Sequence, residues 1–143
     1  MPAPQAGNRA PAFPQLAAHT GKTIVLYFYP KDNTPGCTVQ ACEFRDAHTG
    51  ITRKKAVVLG VSPDSAKSHA NFTGKFGLPF ELVPDEDHQI ALAYGVWKEK
   101  SMYGRKYMGI ERTTFIINPT GRIQKIFAKV KPAGHAAEVL AAI

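Results

Sequence analysis

Two continuous apolar stretches dominate the hydrophobic pattern of the chain. They are TIVLYFY at residues 23–29 and AVVLGVS at residues 56–62. Both are rich in β-branched and aromatic side chains, and neither alternates with polar residues. Such runs are typical of central strands that are covered on both faces, as in a parallel sheet. The pattern therefore predicts two strands in the interior of the fold.

The segments between and after these two runs have helical patterns. Residues 35–50 follow Thr34, a residue suited to the N-cap, and begin with proline at the favoured first position. A second helix is predicted over residues 64–76, before Gly77 and Pro79, and a short one over residues 87–94. A strand–helix–strand unit has a crossover connection, which makes its two strands parallel.

The C-terminal part of the chain has a different pattern. Residues 113–117 and 122–129 flank the turn sequence NPTG, which predicts a hairpin, and PAGHAAEVLAAI predicts a final helix. Together these elements indicate an α/β fold. Because 143 residues are a one-domain length, we expect a single domain over residues 1–143, in which residues 1–14 form an extended N-terminal arm.

Composition and charge exclude several classes of protein. The 44% hydrophobic and 20% charged residues are ordinary for a globular domain. No apolar run approaches the roughly 20 residues of a membrane span, and the N-terminus lacks the apolar segment of a signal peptide. We therefore expect a cytoplasmic protein with no membrane partner. The net charge of +7 is spread over short clusters without a nucleic-acid-binding motif, so no specific nucleic-acid partner is predicted.

The two cysteines, Cys37 and Cys42, both lie in the first predicted helix. A structural zinc site needs four ligands, and the five histidines are scattered without a ligand spacing. A thioredoxin-type reductase has two residues between its cysteines, whereas four separate this pair, and no sequence typical of a cysteine protease surrounds either one. Two unreactive buried thiols remain an alternative.

The position of Cys37 favours a reactive thiol. With Thr34 as N-cap, Cys37 is the third helical residue, where unpaired N–H groups and the helix dipole favour a thiolate. The segment that contains Cys37 also follows the carboxyl end of a buried strand, where the active sites of α/β proteins usually lie. We expect Cys37 to lie in a partly open pocket beside a cation; Lys31 and Arg45 are near it in sequence, but spacing alone does not select the cation.

The segment YFYPKDNTPGCTVQACEFRD resembles the peroxiredoxins, specifically the Q subfamily, also called bacterioferritin comigratory protein. The signature P-x-x-x-T-x-x-C is present as Pro30, Thr34 and Cys37. The resemblance covers nearly the whole chain, through the blocks GNRAPAFPQL, VLGVSPD, FELVPDEDHQIALAYGVW and GIERTTFIINPTGRI. It implies a thioredoxin-like fold with an N-terminal extension and a central mixed sheet flanked by helices.

The resemblance also implies a thiol peroxidase and a role for each matching residue. Cys37 would be the peroxidatic cysteine, which attacks the peroxide and becomes a sulfenic acid. Cys42 would be the resolving cysteine, which forms an intramolecular disulfide with it. Thr34 would bind the peroxide through its hydroxyl, Pro30 would shield the site from water, and Arg112 would stabilise the thiolate and the developing oxyanion.

The implied substrates are hydrogen peroxide and small organic hydroperoxides, with a thioredoxin-like dithiol protein as reductant and no cofactor or metal. A monomer is favoured, with a weak dimer as the alternative, because one chain holds both cysteines. Gln40 and Glu43 share the helix and could reach Arg112, but no role is assigned to them. Trp97 and Tyr103 are predicted to pack in the core or in loops.

A second hypothesis keeps the thiols but changes the class of function. In it, the chain is a redox-sensing or basic nucleic-acid-binding module whose cysteines gate an interaction. Catalytic loss of peroxide with a dithiol reductant would favour the peroxidase. Salt-dependent DNA binding that changes with redox state would favour the module.

Helix geometry constrains the disulfide between the two cysteines. Residues five apart on an α-helix have Cα atoms about 8.6 Å apart, from a rise of about 1.5 Å and a turn of about 100° per residue. A disulfide tolerates at most roughly 7 Å between Cα atoms. Cys37 and Cys42 therefore cannot bond on an intact helix. We expect the helix to be intact in the reduced form and to unwind around residues 37–42 on oxidation.

Overall fold

The computed structural model describes residues 3–143, which form a five-stranded mixed sheet with helices on both faces and a separate two-stranded sheet. The sheet order is β3-β2-β1-β6-β7, and β4 pairs with β5. The elements are α1 (Pro14–Ala17), β1 (Thr23–Phe28), α2 (Pro35–Arg53), β2 (Ala56–Ser62), α3 (Ala66–Phe76), β3 (Glu81–Pro84), α4 (Gln89–Ala93), β4 (Trp97–Met102), β5 (Arg105–Ile110), β6 (Thr113–Ile117), β7 (Ile123–Phe127) and α5 (His135–Ala142).

The centre of the large sheet is β1, which pairs in parallel with β2 and antiparallel with β6. Its alternate residues enter two different cores. Val25 and Tyr27 lie in the core beneath α2, whereas Leu26 and Phe28 lie in the core on the other face. The prediction of a parallel pair of strands covered on both faces is confirmed, and so is the C-terminal hairpin, formed by β6 and β7.

The three central helices were predicted with errors at their ends. The first, α2, continues three residues beyond the predicted end. The second, α3, begins two residues late because Ser65 caps it, with its hydroxyl oxygen accepting from Ser68 N at 3.1 Å. It ends at Gly77, as predicted, where a φ of +60° suits glycine. The third, α4, is shorter than predicted at both ends.

The hydrophobic pattern missed the hairpin of β4 and β5. Most of its residues are exposed, and its strands contain Lys98, Lys100, Arg105 and Lys106. These strands are held by pairing with each other, so they carry no alternation of buried and exposed positions. The expectation that Tyr103 packs is wrong, because it is 98% exposed in the turn of this hairpin.

Residues 7–10 lie against the start of β7 and the turn before it. Gly7 N donates to Ile123 O at 2.7 Å, and Ile123 N donates to Asn8 O at 2.8 Å. Ala10 and Phe13 are buried in the core on the face opposite α2. The first two residues of the predicted arm fall outside the described residues. Over residues 3–143, no helix has the length and apolar character that crossing a membrane requires.

The last helix, α5, is fastened to the sheet by a buried histidine. The Nδ1 atom of His135 lies 2.8 Å from a Glu138 oxygen, and its Nε2 atom lies 2.7 Å from the Thr114 hydroxyl. The rings of Phe44 and Phe127 pack edge-on against it. Burial lowers the pKa of His135, although Glu138 partly opposes this shift, so the ring is held in its neutral form.

We expect the free energy of unfolding to fall as the pH drops below about 6.5, the usual pKa of histidine. Between the folded and the unfolded pKa of His135, the unfolded chain binds a proton that the folded chain does not, so acid favours unfolding. Urea unfolding between pH 5 and pH 8 should show this slope, and His135→Asn should reduce it.

The matched variant for this prediction is Glu138→Gln. Because Glu138 raises the pKa of His135, its loss should lower that pKa further and enlarge the stability lost in acid. An equal slope in the wild type and His135→Asn would contradict the prediction.

Candidate active site

The site is built around the start of α2. Thr34 is the N-cap residue, in extended backbone conformation, and Thr38 N donates to Thr34 O at 2.8 Å to close the first turn. Cys37 is thus the third helical residue, as predicted. The hydroxyl of Thr34 donates to Lys31 O at 2.8 Å and does not cap the helix. The first-turn N–H groups next to Cys37 are therefore not capped by that side chain.

A guanidinium group lies against the sulfur of Cys37. Arg112 Nη2 donates to Cys37 Sγ at 3.3 Å, and Arg112 Nη1 donates to Gln40 Oε1 at 2.6 Å. Gln40 follows Cys37 by three residues, so the two side chains share a helix face. Arg112 is thereby held in one orientation by two residues of α2.

The sheet register explains why Arg112 reaches this position. Phe28, the last residue of β1, pairs with Thr113, the first residue of β6. Arg112 precedes Thr113 and therefore lies beside the loop that leads from β1 into α2. The other two cations considered from the sequence have other positions. Arg45 donates to Asp46 and to Phe76 O, at 3.0 and 2.8 Å, and Lys31 is exposed.

The loop after β7 covers the start of α2. A Cβ atom at Gly36 would lie 3.3 Å from Pro132 Cγ and 3.4 Å from Arg112 Nη2, so this close approach favours glycine. Glu43 Oε1 accepts from Gly134 N at 2.8 Å, which attaches the same loop further along α2. Cys37 is only 1% exposed. The expectation of a partly open pocket at Cys37 is wrong for this conformation.

Both cysteines are free thiols on one unbroken helix. Cys37 is buried and Cys42 is half-buried, and α2 runs through both of them. The structure therefore has the helical arrangement that we expected for the reduced form. On such a helix the two Cα atoms are too far apart for a disulfide.

Two buried polar groups near Cys37 have no hydrogen-bond partner within residues 3–143. They are the hydroxyl of Tyr27 and the side-chain nitrogen of Gln40. Burial raises the pKa of Tyr27, and Cys37 raises it further, which indicates that the phenol is protonated and near the thiol.

Lys100 of β4 is a second cation near the site that the sequence did not indicate. Its aliphatic chain packs against Gly109: a Cβ atom added to that glycine would lie 3.4 Å from Lys100 Cδ. Burial lowers the pKa of Lys100, and the positive charge of Arg112 lowers it further. No local pattern could have identified Lys100 or Tyr27, whereas the spacing of Gln40 from Cys37 was a usable signal.

The predicted site residues lie in three places. Hydrogen bonds join Arg112 to Cys37 and to Gln40, which had been named without a role. Thr34 and Pro30 lie on the loop between β1 and α2, where Thr34 bonds to Lys31 and Pro30 is half-buried. Cys42 lies further along α2.

Comparison with known proteins gives a consistent result. The AhpC/TSA family model matches residues 8–126. Peroxiredoxin Bcp of Bacillus subtilis is 52% identical over 126 residues, which are 88% of this chain and 80% of the relative. A cysteine-to-serine variant of Xanthomonas campestris peroxiredoxin Q has a structure with a TM-score of 0.85 and 50% identity, over 89% of this chain and 81% of that chain.

A further solved structure, of the Xanthomonas campestris bacterioferritin comigratory protein, was determined to study that protein's alkyl peroxide reduction activity. It has a TM-score of 0.85 and 49% identity, over 89% of this chain and 81% of that chain. These likenesses confirm the thioredoxin-like fold and the Q-subfamily resemblance. The chain therefore belongs to the AhpC/TSA family, as a peroxiredoxin of the Bcp or Q type, and is a thiol peroxidase.

Proposed function

We propose that Cys37 is the peroxidatic cysteine and that it reduces hydrogen peroxide and small organic hydroperoxides. The observation that carries this proposal is the contact of 3.3 Å between Arg112 Nη2 and Cys37 Sγ at the start of α2. The thiolate attacks one peroxide oxygen, the O–O bond breaks, and the sulfur becomes a sulfenic acid. The other oxygen leaves with the electron pair and takes up a proton, giving water or an alcohol.

Arg112 stabilises the charges of this step. Its guanidinium keeps its charge at any working pH, so it favours the thiolate before the attack and the oxyanion that develops during it. The hydrogen bond from Nη1 to Gln40 Oε1 fixes its orientation in advance. The stabilisation therefore requires no rearrangement of Arg112 during the reaction.

Thr34 orients the peroxide, and Pro30 shields it from water. A hydroxyl has one hydrogen to donate and two lone pairs that accept. Thr34 donates its hydrogen to Lys31 O, so its oxygen is left as an acceptor. We infer that it accepts a hydrogen bond from the O–H group of the peroxide. Such a bond leaves the attacked O–O bond directed at the sulfur.

Cys42 resolves the sulfenic acid by forming an intramolecular disulfide with Cys37 and releasing water. The intact helix holds the two residues too far apart, so α2 must unwind over residues 37–42. Unwinding also brings Cys37 to the surface, so that a reductant can reach the disulfide.

We expect oxidation by one equivalent of peroxide to increase amide hydrogen exchange over residues 38–46, whose helical N–H groups or their acceptors lie in the unwound segment, whereas residues 47–53 of α2 stay protected. The helical hydrogen bonds of this segment are lost when the disulfide forms. Hydrogen-exchange mass spectrometry of the reduced and oxidised protein measures this difference. Cys42→Ser serves as the control, since it is oxidised at Cys37 but cannot form the disulfide. Unchanged protection in an oxidised sample that contains the disulfide would refute local unwinding.

The proposal extends to the partners of the enzyme. A thioredoxin-like dithiol protein reduces the disulfide, as is general for the family. Because one chain supplies both cysteines, a monomer completes the cycle. We propose a single domain over residues 1–143, in which the predicted arm ends at Phe13 because Pro14 begins α1. The backbone bonds between residues 7–8 and Ile123 support that arm. The reducing cytoplasm is the compartment that suits this chemistry.

A coupled assay tests the proposed function. Peroxide is added to the protein with thioredoxin, thioredoxin reductase and NADPH, and NADPH oxidation is recorded. We expect multiple turnovers with hydrogen peroxide and with a small alkyl hydroperoxide. No turnover with either peroxide, in a sample whose thiols are reduced, would refute the proposal.

A further inference from the structure

A buried carboxylate lies in the loop between β1 and α2. Asp32 is 6% exposed, and its side chain accepts three hydrogen bonds. The Tyr29 hydroxyl donates to Oδ1 at 2.5 Å, and Oδ2 lies 2.8 Å from the Ser68 hydroxyl and 2.7 Å from His69 Nδ1. The backbone N–H of Asp32 donates to Asp64 Oδ2 at 2.8 Å. Both the main chain and the side chain of Asp32 are therefore fixed.

The partners of Asp32 are themselves tied to other elements. The Ser62 hydroxyl at the end of β2 donates to Asp64 Oδ2 at 2.6 Å. His69 Nε2 in α3 lies 3.1 Å from Val83 O in β3. The loop before α2 is thereby joined to the carboxyl ends of β2 and β3 through a connected set of hydrogen bonds.

The hydrogen bonds around Asp32 favour its charged form. The carbonyl of Val83 can only accept, so His69 Nε2 carries a hydrogen, and His69 Nδ1 faces a carboxylate oxygen. Burial disfavours the charged form of Asp32, but hydrogen bonds from His69, Tyr29 and Ser68 outweigh this and lower its pKa. Asp32 is thus a buried carboxylate that faces His69 Nδ1.

A buried carboxylate with these partners restricts geometry more than it adds stability. The cost of removing its charge from water offsets much of the gain from its hydrogen bonds, so it contributes little net stability. Displacing its partners, however, leaves a buried charge without its hydrogen bonds. The network therefore resists displacement of the loop strongly.

The loop transmits this restraint to the candidate site. Asn33, which follows Asp32, has a φ of +58°, in the left-handed region that favours glycine. Lys75 Nζ donates to its side-chain oxygen at 3.2 Å. Thr34 comes next, and Cys37 lies one turn later in α2. A shift at Asp32 would move the Thr34 hydroxyl directly.

We propose that Asp32 is a positioning residue for the peroxide step, and that His69 and Ser68 act through it to hold the Thr34 hydroxyl in line with peroxide at Cys37. The inference rests on the proposed function. Its effect is on peroxide orientation and not on the thiolate, which Arg112 and the start of α2 stabilise.

Two rates measured on Asp32→Asn separate these effects. In a Cys42→Ser background, Cys37 is the only thiol, and its sulfenic acid can be trapped with dimedone in rapid-quench samples. We expect oxidation by hydrogen peroxide to slow by about tenfold to a hundredfold, the scale of a misplaced reacting group. Alkylation of Cys37 by iodoacetamide needs no peroxide orientation and should be little changed. The matched control, Asp46→Asn, changes an exposed aspartate of α2 and should alter neither rate.

A second variant keeps the inference testable if Asp32→Asn does not fold. Ser68→Ala removes one hydrogen bond from the same carboxylate and should slow peroxide oxidation in the same direction by a smaller factor. The double variant should be no slower than Asp32→Asn, because Ser68 acts through Asp32.

Three results would overturn the inference. The first is a wild-type rate of peroxide oxidation in folded Asp32→Asn, or in Ser68→Ala if only that variant folds. The second is an equal fall in the rates of alkylation and of peroxide oxidation. The third is a double variant whose rate falls by the product of the two single effects. A parent protein that does not react with peroxide would instead refute the proposed function, and this inference with it.

Discussion

Replacing Cys37 with Ser is expected to reduce peroxidase activity by at least about a thousandfold, the scale observed when a catalytic nucleophile is removed. A serine hydroxyl in this position is not ionised at neutral pH and cannot accept the peroxide oxygen as a sulfenic acid. Arg112 and the start of α2 can stabilise an anion but cannot replace the sulfur. The coupled assay with thioredoxin and NADPH measures the loss.

The matched variant for this prediction is Cys42→Ser. It retains Cys37 and should therefore consume about one equivalent of peroxide in a first turnover. Turnover with thioredoxin should then fail, because no intramolecular disulfide forms. If Cys42→Ser lost the first turnover and Cys37→Ser retained it, the roles of the two cysteines would be reversed.

Replacing Arg112 with Met is expected to slow oxidation of Cys37 by peroxide roughly a hundredfold or more, the scale for removing one oxyanion donor. Methionine keeps an unbranched apolar side chain but has neither the charge nor the N–H donors, so both hydrogen bonds to Cys37 and Gln40 are lost. Rapid-quench measurement of the sulfenic acid isolates this step from reduction by thioredoxin. Circular dichroism should show an unchanged fold.

The control for Arg112 is Arg105→Met, which removes the same charge from the exposed hairpin of β4 and β5. It should leave the rate of oxidation almost unchanged. A normal rate in Arg112→Met would show that the contact with Cys37 is not catalytic. Lys31 or Arg45 would then have to be tested in the same assay.

Local sequence patterns were sufficient for the elements that carry Cys37. The continuous apolar runs predicted β1 and β2, because strands buried on both faces have no polar positions. Thr34 and Pro35 predicted the start of α2, because backbone preferences at a helix terminus act over a few residues. The position of Cys37 in the first turn followed from these two features alone.

Arg112 was selected by resemblance to a family and not by its local pattern, since the chain has 18 basic residues. Local patterns also missed the hairpin of β4 and β5, whose strands bury little apolar surface. The partly open pocket expected for a reactive Cys37 is absent as well, because Cys37 is buried and the loop between β7 and α5 packs on the start of α2.

Only the tertiary structure decided which distant groups surround the thiol. Arg112 lies 75 residues from Cys37 in the sequence, and His69 lies 37 residues from Asp32. The register of β1 with β6 produces the first contact, and the parallel order of β1, β2 and β3 produces the second. The sequence by itself determined where the reactive cysteine lies on its helix, because helix preferences act between near neighbours. Its cation and the anchoring of its loop were decided by strand pairing, and its burial was decided by the loop between β7 and α5; both join segments that no local pattern connects.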